Sequence, residues 1–291
     1  MKSIKKIYLL LLTILGLILI AFLCFSVGFQ NIVNLLREMG FRFAIVLAIA
    51  LGWHVLNTWG WHFVLPPYRN IPFFKKFKIK LKTEAFNTLT PFASSGGEPL
   101  RIWFTQNYYS LEEGTISVVL DKSIHILSGF CFALIGFVIS LQKIDGQNTF
   151  SLFAALLICL MVGWIVIHLL KKNSKVQGMI AHAFSFYRFQ KGRFFLSAGC
   201  HMMGWILGML EIYIILLFMG HPLSILNAYL ITAFLIILHT FSSFIPSSLG
   251  VSEGGLYLLF SALGLNPAIG FTVGLARRLR SIFWSLIGIL L

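Results

Sequence analysis

Apolar runs of about 20 residues recur along the chain, at 7–28, 41–64, 113–141, 150–170, 194–219, 225–244 and 267–291. A helix of that length crosses a hydrocarbon core about 30 Å thick. Each run is read as a full span, so the pattern predicts an all-α polytopic membrane protein with about seven full transmembrane helices. Two further stretches, 83–110 and 246–264, are moderately apolar but broken by proline, glycine, serine and glutamate. Such backbone is tolerated at membrane depth only where protein buries it or where it lines a wet cavity. Both are expected to be re-entrant or broken hairpins. The whole chain, 1–291, reads as a single transmembrane domain.

Composition agrees. Hydrophobic residues make up 58% and charged residues only 11%, against about 25% charged in a soluble domain. The first run, Ile7 to Gly28, follows Lys2, Lys5 and Lys6. It is too long for the core of a signal peptide and has no convincing cleavage site, so it is expected to stay as a span.

The net charge of +14 is concentrated in two places. Arg69, Lys75, Lys76, Lys78, Lys80 and Lys82 lie in 66–82, and Lys171, Lys172, Lys175, Arg188, Lys191 and Arg193 in 171–193. Connections rich in Lys and Arg stay cytoplasmic and sit well against anionic headgroups. Both loops and the N-terminus are expected inside. That requires 83–110 to enter and return, and it puts the C-terminus outside. The expected location is the plasma or inner cell membrane. Basic stretches this short, flanked by spans, do not suggest nucleic acid. The four cysteines fall in apolar runs, and the histidines form no metal motif. No metal and no cofactor is expected. His54, Asn57 and His201 read as hydrogen-bonders between helices.

The two broken stretches resemble each other. In the first, Pro91 precedes a small-residue run ending in Gly96, Gly97 and Glu98. In the second, Pro246 precedes Gly250, Glu253 and Gly254. Each glutamate falls seven residues after its proline. A short amphipathic segment follows, then a turn, then a long apolar helix carrying charge: Asp121 and Lys122 in one, Arg277, Arg278 and Arg280 in the other. Asp121 lies 30 residues after its proline and Arg277 31 after its own. These features suggest an internal repeat, with halves at about 30–141 and 194–291 and the 150–170 span linking them. Interrupted segments at matching positions of two repeats are the sequence mark of a transporter site. Pro91, Gly96, Gly97, Pro246, Gly250 and Gly254 would shape the hairpin backbone. Helix N-termini at such breaks suit a phosphate.

The intramembrane charges are the candidate chemistry. An arginine at the centre of a span costs about 2.5–3.5 kcal/mol on insertion scales, so three within four residues must face protein, water or a ligand. Glu98, Arg101, Asp121, Glu253, Arg277, Arg278 and Arg280 are the expected headgroup-binding or pathway residues. Arginine holds phosphate with a two-pronged fork. The plainer reading is mutual ion pairing, either Glu98 with Arg101 or Asp121 and Glu253 with the arginine cluster. Gly270 with Gly274, and Gly204 with Gly208, read as packing faces.

The segment from Thr90 and Pro91 to Arg101, then Val119 to Lys122, Pro246 to Gly254, and Ala276 to Arg278 resemble the membrane domain of bacterial lysylphosphatidylglycerol synthases and its stand-alone flippase-like relatives. The resemblance covers roughly 30–291. Lys122 stands where that family usually has Arg, and Ser247 and Ser248 replace a Gly pair. The resemblance implies a lipid translocase-like membrane domain. With the intramembrane arginines, the expected function is a flippase-like translocase or lipid-binding transporter for an anionic or phosphate-bearing lipid. It also implies that this chain lacks the soluble aminoacyl-transferase domain and does not make lysyl-lipid by itself. Two other readings stay open. One is a non-catalytic accessory subunit for a separate synthase or glycosyltransferase. The other is an intramembrane enzyme using Glu98, Asp121 and Glu253, although no nucleophile, metal motif or Walker motif accompanies them. The partner expected is a membrane phospholipid or lipid-linked substrate; the oligomeric state is left open.

Overall fold

The computed structural model describes residues 14, 18, 20–22, 24–26, 28–68, 71–89, 96–141, 174–242, 245 and 248–291. Among them the elements are helical: α1 (Phe29–Met39), a 3-10 turn (Gly40–Arg42), α2 (Phe43–Val64), α3 (Phe73–Leu89), α4 (Gly97–Thr105), α5 (Leu111–Leu141), α6 (Ser174–Phe189), α7 (Lys191–Phe218), α8 (Ile225–Phe241), α9 (Val251–Ala262) and α10 (Pro267–Leu290). The expected 150–170 span, most of 7–28, Pro91 and Pro246 lie outside the described residues.

Among the described residues, three helical stretches are long and apolar enough to cross a membrane: Phe29–Val64, Leu111–Gly136 and Lys191–Phe218. Many of their apolar side chains point outward. Ile135, Phe195 and Leu196, for example, are more than half exposed. Apolar surface on this scale needs a cover, and for a chain of this composition the cover is lipid. The protein is an all-α membrane protein. Helix α10 has the length of a span at 24 residues, but Arg277, Arg278 and Arg280 interrupt its apolar run.

Local sequence sets the helix starts. Ser110 and Glu113 form a capping box at α5: the Ser110 amide donates to Glu113 Oε2 at 2.9 Å, and the Glu113 amide donates to Ser110 Oγ at 3.3 Å. The pair satisfies donors that a helix start leaves free. Ser224 accepts from the Asn227 amide at α8. Asn266 accepts from the Ala268 amide at α10, with Pro267 in the first turn, where its missing N–H costs nothing.

The packing pairs elements two by two. Helix α2 lies along α7, α3 along α10, and α5 along α8. The short helix α4 rests on α3 and α5, as α9 rests on α8 and α10. An apolar cluster of Ile212, Ile215, Leu216, Ile231, Leu256, Phe260 and Val273 joins α7, α8, α9 and α10. A second, around Trp61, Leu65, Ile71, Tyr109, Leu120 and Ile124, joins α2 to α5 and the turns between them.

Close approaches rely on glycine. A Cβ on Gly97 would strike the Thr83 carbonyl, so α4 can lie on α3 only with glycine there. Gly250 takes the left-handed conformation at φ 75° before α9, where a side chain would be strained. A Cβ on Gly270 would lie 2.7 Å from the Phe260 ring, and one on Gly274 3.0 Å from Glu253 Cα. Gly270→Ala should therefore overpack the α9–α10 seam and lower stability by about 1–3 kcal/mol. Thermal unfolding in detergent measures this, and an unchanged midpoint would show that the seam can shift freely.

One boundary differs from the sequence reading. The first broken stretch begins at Phe73, ten residues before 83, because the lysine-rich segment is helix α3 and not loop. Two of its lysines find partners inside. Lys76 Nζ lies 2.7 Å from His62 Nδ1, and Lys80, one turn on, reaches the centre of the molecule. Ile79, Leu81 and Ala85 of the same helix are buried.

Candidate functional site

The two breaks meet at one cavity of about 510 Å³. Glu98, Arg101, Asp121, Glu253, Arg277, Arg278 and Arg280 all line it. Of the backbone residues singled out from sequence, Gly97 lines it. Gly96, Gly250 and Gly254 stand beside it in sequence, at the starts of α4 and α9. Pro91 and Pro246 lie outside the described residues.

In the half built by α3, α4 and α5, the Gly97 amide donates to Asn87 Oδ1 at 2.7 Å and seats the start of α4 on α3. Glu98 follows in the first turn, where the helix dipole favours a carboxylate. Lys122 donates to its Oε1 at 2.6 Å. Arg101, one turn further on, is buried with its guanidinium 5.1 Å from the Trp61 ring centre. It donates to Asp121 Oδ2 at 2.7 Å. Lys80 reaches the same oxygen at 3.1 Å and also donates to the Asn57 carbonyl. His201 Nε2 lies 3.1 Å from Asp121 Oδ1. Asp121 is thus the shared anion of Lys80 and Arg101, with only 5% of its side chain exposed.

The half built by α7, α9 and α10 repeats the theme. Glu253 sits in the first turn of α9, buried, and its Oε1 accepts from Arg278 Nε. Arg280 donates to Glu211 Oε2 at 2.6 Å. Arg277 Nε faces Glu211 Oε1 at 3.4 Å, an ion-pair distance. The hairpin glutamate and the following helix are therefore bridged in both halves, Glu98 to Lys122 and Glu253 to Arg278.

The pairs leave valences over. Among the described residues, Glu98 Oε2, Glu211 Oε1, Glu253 Oε2 and Arg277 Nε are buried without a hydrogen-bond partner. Glu211 Oε1 and Arg277 Nε face each other in the 3.4 Å ion pair, so the valences left over are the carboxylate oxygens Glu98 Oε2 and Glu253 Oε2. Buried polar atoms in folded proteins are nearly always bonded, and this pair of acceptors suits a hydrogen-bond donor in the cavity. Six basic and five acidic side chains line the cavity. Its walls are nearly neutral and offer both signs of charge.

Sequence reasoning missed Lys80 and Glu84 as cavity residues. Lys76, Lys80 and Glu84 follow one another at four-residue spacing, the repeat of a single helix face, and that spacing was the signal available. Glu211 and His125 also line the cavity. Asn57 and His201 meet across helices as expected, 2.9 Å apart. Among the described residues no group of three or more His, Cys, Asp or Glu side chains is placed to hold a metal ion.

A family model described as the lysylphosphatidylglycerol synthase TM region matches residues 9–288. Neither the curated proteins nor the solved structures contain a match to this chain.

Proposed function

Because the chain belongs to the lysylphosphatidylglycerol synthase transmembrane-region family, we propose that it moves an anionic or phosphate-bearing lipid across the bilayer through the cavity between its two broken stretches. The observation that carries this reading is the cavity itself. It is charged, about 510 Å³ in volume and walled by both breaks. Small-molecule sites run from about 300 to 1,000 Å³. The outer surface is apolar, so acyl chains can stay in lipid while the headgroup enters. An entering phosphate can take the place of Glu211 on Arg277, whose ion pair is a long one at 3.4 Å. The unbonded oxygens of Glu98 and Glu253 accept from hydroxyl or ammonium groups of the same headgroup.

The paired packing of α2 with α7, α3 with α10 and α5 with α8 supports reading the halves 30–141 and 194–291 as a repeat, the architecture in which one half rocks against the other around a fixed site. About seven full spans and two re-entrant hairpins, in the plasma membrane with the N-terminus and both basic segments cytoplasmic, complete the proposal. Reporter fusions after residue 190 should be active only on the cytoplasmic side; activity only on the far side would reject this orientation.

Purified protein in liposomes carrying leaflet-labelled fluorescent phosphatidylglycerol tests the function. Transbilayer movement without change to the lipid is expected. A chemically modified lipid would favour the intramembrane enzyme instead. Neither movement nor modification would favour an accessory role beside a separate synthase or glycosyltransferase.

A further inference from the structure

Where α2, α5 and α7 meet, the hydrogen-bonding atoms need one proton more than neutral side chains and a carboxylate provide. The Asn57 amide nitrogen donates to the Trp53 carbonyl at 2.9 Å. Its Oδ1 therefore faces His201 Nδ1 at 2.9 Å. An amide oxygen only accepts, so Nδ1 must carry hydrogen. The other ring nitrogen, Nε2, faces Asp121 Oδ1 at 3.1 Å. An ionised carboxylate also only accepts, so Nε2 must carry hydrogen as well, or Asp121 must be the acid and donate. Turning the Asn57 amide over moves the clash to the Trp53 carbonyl and does not remove it. With the amide as placed, the cluster is complete only when it holds one extra proton, whether that proton rests on His201 or on Asp121. His125 Nδ1, 3.2 Å from His201 Nδ1, is a second acceptor for it. The His125 ring lies against Trp205 with centres 4.6 Å apart.

Charge works against that proton. Asp121 already faces Lys80 at 3.1 Å and Arg101 at 2.7 Å. The other charged or titratable groups around the cavity are Glu84 from α3, Glu98 from α4, Lys122 from α5, His54 from α2, His239 from α8, Glu253 from α9 paired with Arg278 of α10, and Arg277 and Arg280 from α10 held by Glu211 of α7. Among the described residues α1 and α6 contribute none to the cavity lining. A proton required by hydrogen bonding and opposed by two neighbouring cations responds to any third charge. An anion entering the cavity near Lys80 and Arg101 favours its uptake; departure of the anion favours its release. The coupling is reciprocal, so the proton favours the anion equally.

We propose that Asn57, Asp121, His125 and His201 form a proton-binding site coupled to occupancy of the cavity by an anionic headgroup. The proton comes from cavity water and rests on His201 or Asp121. A transmembrane proton gradient would then bias the direction of lipid movement. The coupling rests on the lipid reading above; the proton site itself does not.

Two measurements on the full chain in detergent separate these claims. The first uses no lipid: thermal unfolding midpoints of the native protein and His201→Gln between about pH 5 and pH 8. A midpoint that falls as pH rises requires the folded site to hold the proton more tightly than the free imidazole of the unfolded chain does. The hydrogen bonds that tie α7 to α2 and α5 should give that fall, whereas burial and the two cations acting alone would give a rise. His201→Gln should lose that slope. A native midpoint that does not fall with rising pH, or a His201→Gln profile parallel to the native one, overturns the proton site. The second is calorimetry of short-chain phosphatidylglycerol binding in two buffers of different ionisation heat. Uptake of up to about one proton per lipid is expected. Binding without uptake overturns the coupling and leaves the lipid reading standing. Absence of binding overturns the lipid reading and with it the coupling, while the first measurement still decides the proton site.

Discussion

Asp121→Ala should be the most damaging single substitution in the half of the cavity built by α3, α4 and α5. The carboxylate is the shared anion of Lys80 and Arg101, and it also holds His201. Removing it leaves two cations in a poorly hydrated interior without their hydrogen-bonded carboxylate, with Glu84, one turn along α3 from Lys80, as a remaining acidic neighbour. Breaking a buried pair by deleting one partner costs about 3–5 kcal/mol, and here two partners are stranded at once. Total stability of a domain is about 5–15 kcal/mol, so much of the protein should fail to survive extraction. Asp121→Asn keeps an acceptor for His201 and Arg101 but removes the charge, and should fall between. Adding Lys80→Met and Arg101→Met to Asp121→Ala removes the stranded cations and should recover folding, since apolar groups of similar size replace buried ions at little cost. Unfolding midpoints and the fraction of monodisperse protein after detergent extraction measure the series. A single Asp121→Ala within about 0.5 kcal/mol of the native protein, the range of a surface change, would mean that water reaches Lys80 and Arg101.

The same carboxylate shows how far the sequence could be read. Charges inside apolar runs are costly, and that cost alone picked out Asp121, Glu98, Glu253 and the three arginines. It could not choose their partners. The sequence offered Glu98 with Arg101, one turn apart on one short helix. In the structure each looks outward to α5, Glu98 to Lys122 and Arg101 to Asp121. Asp121 and Lys122 are adjacent, so they point about 100° apart around α5, given 3.6 residues per turn. The two charged residues of α4 each meet a complement on that neighbouring helix. Only the crossing of α4 over α5 decides this, and the crossing depends on the contact of Gly97 with the Thr83 carbonyl.

Lys80 was hidden for a different reason. The rule that assigns lysine-rich segments to cytoplasmic loops looks at composition, and 75–82 satisfies it with five lysines. It does not see that one face of a helix can turn Lys76 and Lys80 inward while Lys78 lies over the Phe74 ring. Glu211 was hidden by distance: it lies 69 residues from Arg280, its partner. The apolar outline of the long helices, by contrast, was legible because lipid imposes length and composition locally. The expected 41–64, 113–141, 194–219 and 267–291 runs differ from α2, α5, α7 and α10 by no more than three residues at either end.

Glu253 and Arg278 offer the sharpest separation of a binding site from a structural strut. Arg278→Ala leaves Glu253, 1% exposed, with neither carboxylate oxygen bonded to the guanidinium, and should cost about 3–5 kcal/mol. Lost transport in that variant would say little, because folding is lost too. Glu253→Gln combined with Arg278→Met removes both charges together. It strands no ion, and it keeps side chains of similar volume against α8 and Gly274. Buried pairs replaced in this way are often neutral or stabilising, so the double variant should insert and unfold at close to the native midpoint. It should nonetheless move no lipid. Glu253 Oε2 is one of the open acceptors of the cavity, and the neutral amide that Glu253→Gln puts there accepts more weakly from the headgroup hydroxyls than the carboxylate, whose hydrogen bonds are charge-assisted. The pair also bridges the start of α9 to α10, and a site that opens and closes needs an ionic contact that the headgroup can replace. An apolar substitute for that contact stays shut. Leaflet exchange of labelled phosphatidylglycerol in liposomes, read beside the unfolding midpoint, decides the matter. A double variant that is stable and flips lipid at the native rate would reduce Glu253 and Arg278 to a strut and move the headgroup site to the Arg101–Asp121 half.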